Sequence, residues 1–286
     1  VCNSIDSIGN HPNGSVDIIA FRDGQRNIED RADASVSGSI VGFDIVDNGS
    51  GFTEANRDSF DTYLSGHKYK SGGKGFGRFM YLKYFQRVSV DSYYQKGKES
   101  WHRTFDFGHN EEIIENERNE LCQGKNIANK TTLHLKSAVK GYNADKGLDV
   151  IARKLVERLL VFFVDKTESM PTIILKESDG SNPYILNDFV SCNNTIQFVQ
   201  EQAFELLDKK QTRHRFVVKA YKVYFSSLTN KVILTAHRRE VTNRPLHTYV
   251  PEFKETLMDI EDGKQRTYAI RSYVIGEYLD EHVDTE

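Results

Sequence analysis

The sequence predicts an α/β chain of the α+β kind, built as two units, and three observations carry that reading. Apolar residues alternate with period two in several short runs and recur at three-to-four spacing in others, so strands and helices interleave. Two glycine-punctuated turns, Asp47-Asn48-Gly49-Ser50-Gly51-Phe52 and Gly72-Gly73-Lys74-Gly75-Phe76-Gly77-Arg78, fall at the end of an apolar strand and at the entry to an apolar helix. A long helical stripe then runs into Met170-Pro171, which breaks the pattern, and 286 residues suit about two domains.

Taken in order, Val1 to Ile5 reads as the interior of an amphipathic helix with no cap before it, so further residues are expected upstream. Residues 9–14 are turn-rich, 16–21 read as a strand, and 23–38 as a polar insertion. The strand at 40–46 delivers Asp47 at its carboxyl end. A short helix is expected over 56–64 with Phe60 and Leu64 on one face, then a polar, basic loop over 67–73. Residues 76–85 read as a helix with Phe79 and Leu82 facing inward. Strands follow at 87–94, 101–107 and 131–135. Ile151, Leu155, Leu159 and Phe162 make the helical stripe that links the units. Beyond Pro171 the pattern predicts strands with one helix over 195–207, a hairpin joining 216–225 to 231–241, and a final strand running into a helix over 268–283. The expected division is 1–150, a linking helix over 151–169, and a second α+β domain over 170–286.

Composition narrows the function classes. With 38% hydrophobic residues and 11% aromatics the chain can fill real cores, and a net charge of -3 gives it no bulk attraction for nucleic acid. Its three cysteines, Cys2, Cys122 and Cys192, lack metal-ligand spacing and suit reduced thiols, hence a cytoplasmic setting. No apolar run approaches the roughly 20 residues that span a bilayer, so no membrane partner is expected.

Three motifs in order resemble those of the GHKL ATPase superfamily, which includes gyrase B, the ninety-kilodalton heat-shock chaperones, histidine kinases and MutL. Asn3-Ser4-Ile5-Asp6-Ser7 is similar to the asparagine box, Asp47 to Phe52 to the DNGxG box, and Gly73 to Gly77 to the glycine box after the lid. The run from Gly73 into Met80-Tyr81-Leu82 is further similar to bacterial heat-shock-chaperone-like ATP-binding proteins. The resemblance covers residues 1–135. It implies a Bergerat-type two-layer α+β sandwich that binds ATP or ADP with Mg²⁺, followed by a transducer-like domain.

The residue types suit those roles. A carboxylate at Asp47 accepts a hydrogen bond from an exocyclic amine, which favours adenine over guanine. Gly49 and Gly51 are expected to admit positive φ and a close approach of the base, with Phe52 completing the box. Asn3 and Asp6 share a helix face. In the family the asparagine binds magnesium, for which an amide oxygen is a suitable hard ligand; the alternative for Asn3 is a helix cap. Asp6 either holds its helix against the loop or reaches a water near the adenine. Amides of Gly73, Gly75, Phe76 and Gly77 at a helix N-terminus suit phosphates, and Lys74 and Arg78 add charge. Thr131 is the candidate for the family's adenine-pocket threonine, although Lys130 stands where the family has glycine; an ordinary strand threonine is the alternative.

The family's general base is a glutamate four residues before the magnesium asparagine, a place that precedes Val1, and Glu29 and Glu54 are wrongly placed to replace it. The resemblance therefore implies an ATP-binding switch, with weak magnesium-dependent hydrolysis and ATP-dependent homodimerisation as its extension. Its alternative is a noncatalytic ATP-binding or scaffold module in a DNA-repair or defence complex. In the second unit Lys231, Arg238 and Arg239 are candidates for a terminal-phosphate contact, with a solvated hairpin as the bland reading. The protein client and any nucleic-acid partner are not specified by these residues.

Overall fold

The computed structural model describes residues 1–23, 38–61, 77–109, 112–124, 126–142, 147–164, 169–191, 195–224, 229–255, 257–261 and 263–283. It is an α+β chain with two sheets, and it divides into two compact units. The first unit begins with α1 (Cys2–Ile8), β1 (Ser15–Arg22), β2 (Ile40–Asp47), α2 (Glu54–Asp61) and α3 (Gly77–Tyr84). It continues through β3 (Phe85–Lys96), β4 (Glu99–Phe107), β5 (Ile114–Leu121) and β6 (Lys130–Ala138). The long helix α4 (Leu148–Val164) starts in the first unit and from Arg153 onward belongs to the second, and β7 (Thr172–Glu177) and β8 (Tyr184–Ile185) belong to the first again. Eight strands form one sheet in the order β5-β4-β3-β6-β2-β1-β7-β8, antiparallel throughout except where β7 runs parallel to β1.

Period-two alternation gives this sheet one apolar face. Val88 and Val90 of β3, Phe105 and Phe107 of β4 and Leu135 of β6 are buried, and Phe43 and Ile45 of β2 pack with them. Phe52, Phe60, Tyr81 and Leu82 cover that row from the turn and the helices. The ring of Phe52 meets Phe105 edge-on at 5.0 Å and Phe60 at 5.7 Å. Burying a side chain of this size contributes roughly 1.5–3 kcal/mol. The opposite face is polar: Lys176 Nζ donates to Asp17 Oδ2 at 2.7 Å, while Asp44 Oδ1 lies 2.9 Å from His134 Nδ1 and 2.7 Å from Lys136 Nζ.

The second unit holds α5 (Asp188–Ser191), β9 (Ile196–Leu207), β10 (Arg213–Val223), β11 (Lys231–Ala236), β12 (Arg239–Pro245), β13 (Leu257–Glu261), β14 (Lys264–Ile275) and α6 (Glu277–His282). Its sheet runs β12-β11-β14-β10-β9, with β13 paired to β14. Phe216, Ala236, Val274 and Leu279 form one core cluster of this unit, with Phe204, Val218 and Tyr278 packed against them. Among the described residues no helix is long and apolar enough to cross a membrane.

Three expectations are corrected here, and one strand is added. Residues 196–207 are a strand, not a helix: Glu201, Ala203 and Leu206 favour helix, but pairing with β10 along the segment's length overrides that propensity. The expected hairpin does not form, because β14 lies between β10 and β11 and pairs with both. Met170-Pro171 does not begin the second sheet; the strand after it joins the first. Strand β5 has no counterpart among the expected elements, since Glu115, Glu117, Arg118 and Glu120 mask its alternation at a sheet edge.

Candidate functional site

The site is built around the end of β2. Asp47 is 7% exposed, and it stands opposite Val16 on β1 and Thr131 on β6. Cross-strand partners share a face, so Asp47 and Thr131 stand together on the inward side of the sheet. Ser92 of β3 is the next partner outward from Thr131, and their hydroxyl oxygens are 2.9 Å apart. The Ser92 hydroxyl also accepts from the backbone N–H of Phe52 at 3.0 Å. One buried serine thus ties the turn after Asp47 to the strand that carries Thr131.

The turn itself is closed by the Gly49 N–H, which donates to Asp47 Oδ1 at 3.0 Å. Asn48 is engaged on both sides of its amide: Oδ1 accepts from Ser15 N at 2.9 Å and Nδ2 donates to Asn13 O at 2.8 Å. The two glycines differ: the expected positive φ is found at Gly51 and not at Gly49. A Cβ on Gly49 would sit 2.4 Å from Ser7 Oγ and 2.8 Å from the Ser7 carbonyl carbon, so its bareness lets α1 dock on the turn, and its φ is not left-handed. Gly51 does have a left-handed φ, +73°, and a Cβ there would meet Tyr94 Cβ at 2.9 Å. Both close approaches are to the protein itself.

Helix α1 buries Ser4, Ile5 and Ile8 and stops at Gly9. Its other face carries Asn3, Asp6 and Ser7. Ser7 O accepts from Ser50 N at 3.0 Å, and Ser7 Oγ lies 3.2 Å from Ser50 Oγ. Asn3, exposed, stands one turn back from that contact on the same helix side. Asp6 is half-buried. Phe52, counted in sequence among the nucleotide contacts, has its ring in the aromatic core described above, so its share in the site is backbone.

Gly73, Lys74, Gly75 and Phe76 lie outside the described residues; Gly77 and Arg78 open α3. Among the described residues no cluster of three His, Cys, Asp or Glu side chains could hold a metal. An ion carried largely by phosphates and water needs one or two protein oxygens, which the exposed Asn3 amide fits. In the second unit Arg238 is engaged by the end of α4: Nη2 donates to Phe162 O at 3.1 Å and the guanidinium stacks on the Phe162 ring at 5.1 Å.

A separate cavity of about 440 Å³ borders Asp47 and Asn48. Asp17, Val46, Tyr93 and Lys130, which line it, belong by alternation to the polar face, opposite Thr131 and Ser92.

Sequence reasoning missed Ser92, Asn56 and Arg103. Asn56 Nδ2 donates to Gly51 O at 2.6 Å, and Arg103 Nη1 donates to Phe52 O at 2.8 Å. A signal existed for two of them: Ser92 interrupts the row Val88-Val90-Tyr94, and Arg103 the row Trp101-Phe105-Phe107, each a polar residue in an inward register. The Arg103 guanidinium holds the Glu54 carboxyl below its usual range, while burial pushes the Tyr94 phenol up.

No family model and no curated protein matches the chain. Among solved structures it is similar to the 43K ATPase domain of Thermus thermophilus gyrase B, at 11% identity over 96% of this chain and 73% of that one, with a TM-score of 0.41. It is similar also to the ATPase region of Saccharomyces cerevisiae topoisomerase II, at 11% identity over 96% and 70%, TM-score 0.47. The B-subunit of Myxococcus xanthus DNA gyrase gives 8% identity over 96% and 76%, TM-score 0.42. At such identities and scores the functional case rests on the chain's own residues.

Proposed function

We propose that the chain binds ATP at the end of β2 and acts as a nucleotide-controlled conformational switch. The observation that carries this reading is the buried Asp47 carboxylate in register with Thr131 on the inward face, in a turn secured by Gly49 N–H and Ser92. Asp47 accepts the exocyclic amine of adenine, and the Thr131 hydroxyl supplies a donor or acceptor beside it. A hydrogen bond to a charged partner contributes about 1.5–3 kcal/mol. Guanine places a carbonyl where adenine has its amine and would leave Asp47 unmatched.

The phosphates are assigned from sequence to the amides of Gly73, Gly75, Phe76 and Gly77, with Lys74 and Arg78 adding charge and Asp6 supporting α1. Magnesium, when bound, neutralises phosphate charge, and Asn3 is the residue that would hold it. Weak hydrolysis and ATP-dependent pairing of two copies belong to the same proposal through the motif resemblance. No general base is assigned: Glu54 is tied to Arg103, Nη2 to Oε2 at 2.8 Å, and is not disposed to activate water.

Calorimetric titration with a non-hydrolysable ATP analogue, with and without magnesium and with a GTP counterpart, tests this. Magnesium-dependent, adenine-selective binding is expected; equal affinity for both bases would sink the assignment of Asp47.

A further inference from the structure

Arg103 stands in the inward register of β4 beside the core residues Phe105 and Phe107, and its side chain is 2% exposed. A buried cation is costly unless its donors are met. Here Nη1 donates to the carbonyls of Phe52 at 2.8 Å and Thr53 at 3.1 Å, and Nη2 to Glu54 Oε2 at 2.8 Å. Nε lies 3.2 Å from Glu117 Oε1, near enough for an ion pair but not aligned as a hydrogen bond. The guanidinium sits over the Tyr94 ring at 5.4 Å.

Its acceptors are held in turn. Asn119 Nδ2 donates to Glu54 Oε1 at 3.2 Å, and Arg57 Nη2 lies 2.9 Å from Glu117 Oε2. At the other end of the same backbone, Phe52 N–H goes to Ser92 and Gly51 O to Asn56. From the Gly51 carbonyl to the Thr53 carbonyl, the Thr53 N–H aside, each main-chain group is therefore met by a side chain of α2, β3 or β4, and the Thr53 carbonyl accepts in addition from the Arg57 N–H at 2.9 Å. Arg103 alone takes two of them.

We propose that Arg103 is a positioning residue: its planar fork fixes the backbone of residues 51–53 and so holds the turn in the shape that presents Asp47. The consequence for ligand rests on the nucleotide reading above; the fixing of the backbone does not. Lysine keeps the charge but offers a single ammonium, which cannot span two carbonyls and a carboxylate in one plane. Charge alone would be rescued by lysine, whereas positioning would not.

The test is amide hydrogen exchange on the nucleotide-free chain, comparing wild type with Arg103→Lys, together with the affinity of each for the ATP analogue. Glu54→Ala serves as a second variant should Arg103→Lys fail to fold, because the Glu54 side chain is 52% exposed and its loss leaves the core intact. The expected result is exchange faster by about tenfold or more over residues 50–56, smaller in Glu54→Ala, with β3 and β6 protection unchanged. Analogue affinity falls about tenfold alongside it, as the loss of one hydrogen bond to a charged group gives. Unchanged exchange over 50–56, a loss spread over the whole sheet, or full rescue by lysine overturns the proposal. Should the wild-type chain ignore the analogue, the nucleotide reading fails, and the exchange comparison still decides the role of Arg103.

Discussion

Alanine at Gly51 separates two costs that one residue avoids. The backbone there has φ +73°, and a new Cβ would lie 2.9 Å from Tyr94 Cβ, 3.0 Å from Ser92 Oγ and 3.2 Å from Tyr93 O. A left-handed backbone costs an alanine about 1 kcal/mol, and crowding a packed site costs about 1–3 kcal/mol more. Gly51→Ala should therefore destabilise by about 2–4 kcal/mol. Gly97, in the β3–β4 turn, is the control: its φ is +65°, but no atom stands within 4 Å of its would-be Cβ, so Gly97→Ala carries the first cost alone. Equilibrium urea unfolding of both variants measures the difference. Equal losses at the two positions would refute the claim that the turn is pressed against β3 at Gly51.

Ser92→Ala removes the acceptor of the Phe52 N–H and the partner of Thr131 in a fully buried place, and should cost about 1–3 kcal/mol in the same unfolding assay. Acid should report on Asp44. Burial alone would raise its pKa, but hydrogen bonds from His134 and Lys136 outweigh it and leave the carboxyl below its usual value. A depressed folded pKa means stability that is present above the unfolded value near 3.8 and lost as pH falls through the folded one. Asp44→Asn should then be less stable than wild type at neutral pH, with the gap closing below about pH 4. A gap that persists unchanged to pH 2 would contradict the pairing.

Much of the first unit was legible because its sheet has one wet face. Alternation in β2, β3, β4 and β6 marked the strands, and the abrupt Asp47 after Ile45 and Val46 marked the strand end that carries the site. Thr131 could be suggested from sequence but not paired: its register with Asp47 is a contact between residues far apart in the chain. The second unit was harder for the same reason. Its central strand β14 comes near the end of the chain and inserts between β10 and β11, so neighbours in sequence are not neighbours in the sheet. In β9, helix-favouring Glu201, Ala203 and Leu206 outvoted Ile196 and Phe198 until β10 supplied a partner. Gly49 and Gly51 were recognised as obligatory, but sequence cannot say what approaches them; Ser7 and Tyr94 do. Arg103 falls inside the expected strand over 101–107, but its role depends on the carbonyls of Phe52 and Thr53, which lie some fifty residues away in the chain.

The most direct test of the central claim is calorimetric titration of wild type and Asp47→Asn with the non-hydrolysable ATP analogue in magnesium. Asparagine keeps the size of the side chain and removes the charged acceptor, so affinity should fall about tenfold or more while the circular dichroism spectrum is unchanged. Binding of equal strength by both proteins would contradict the placement of the adenine at Asp47.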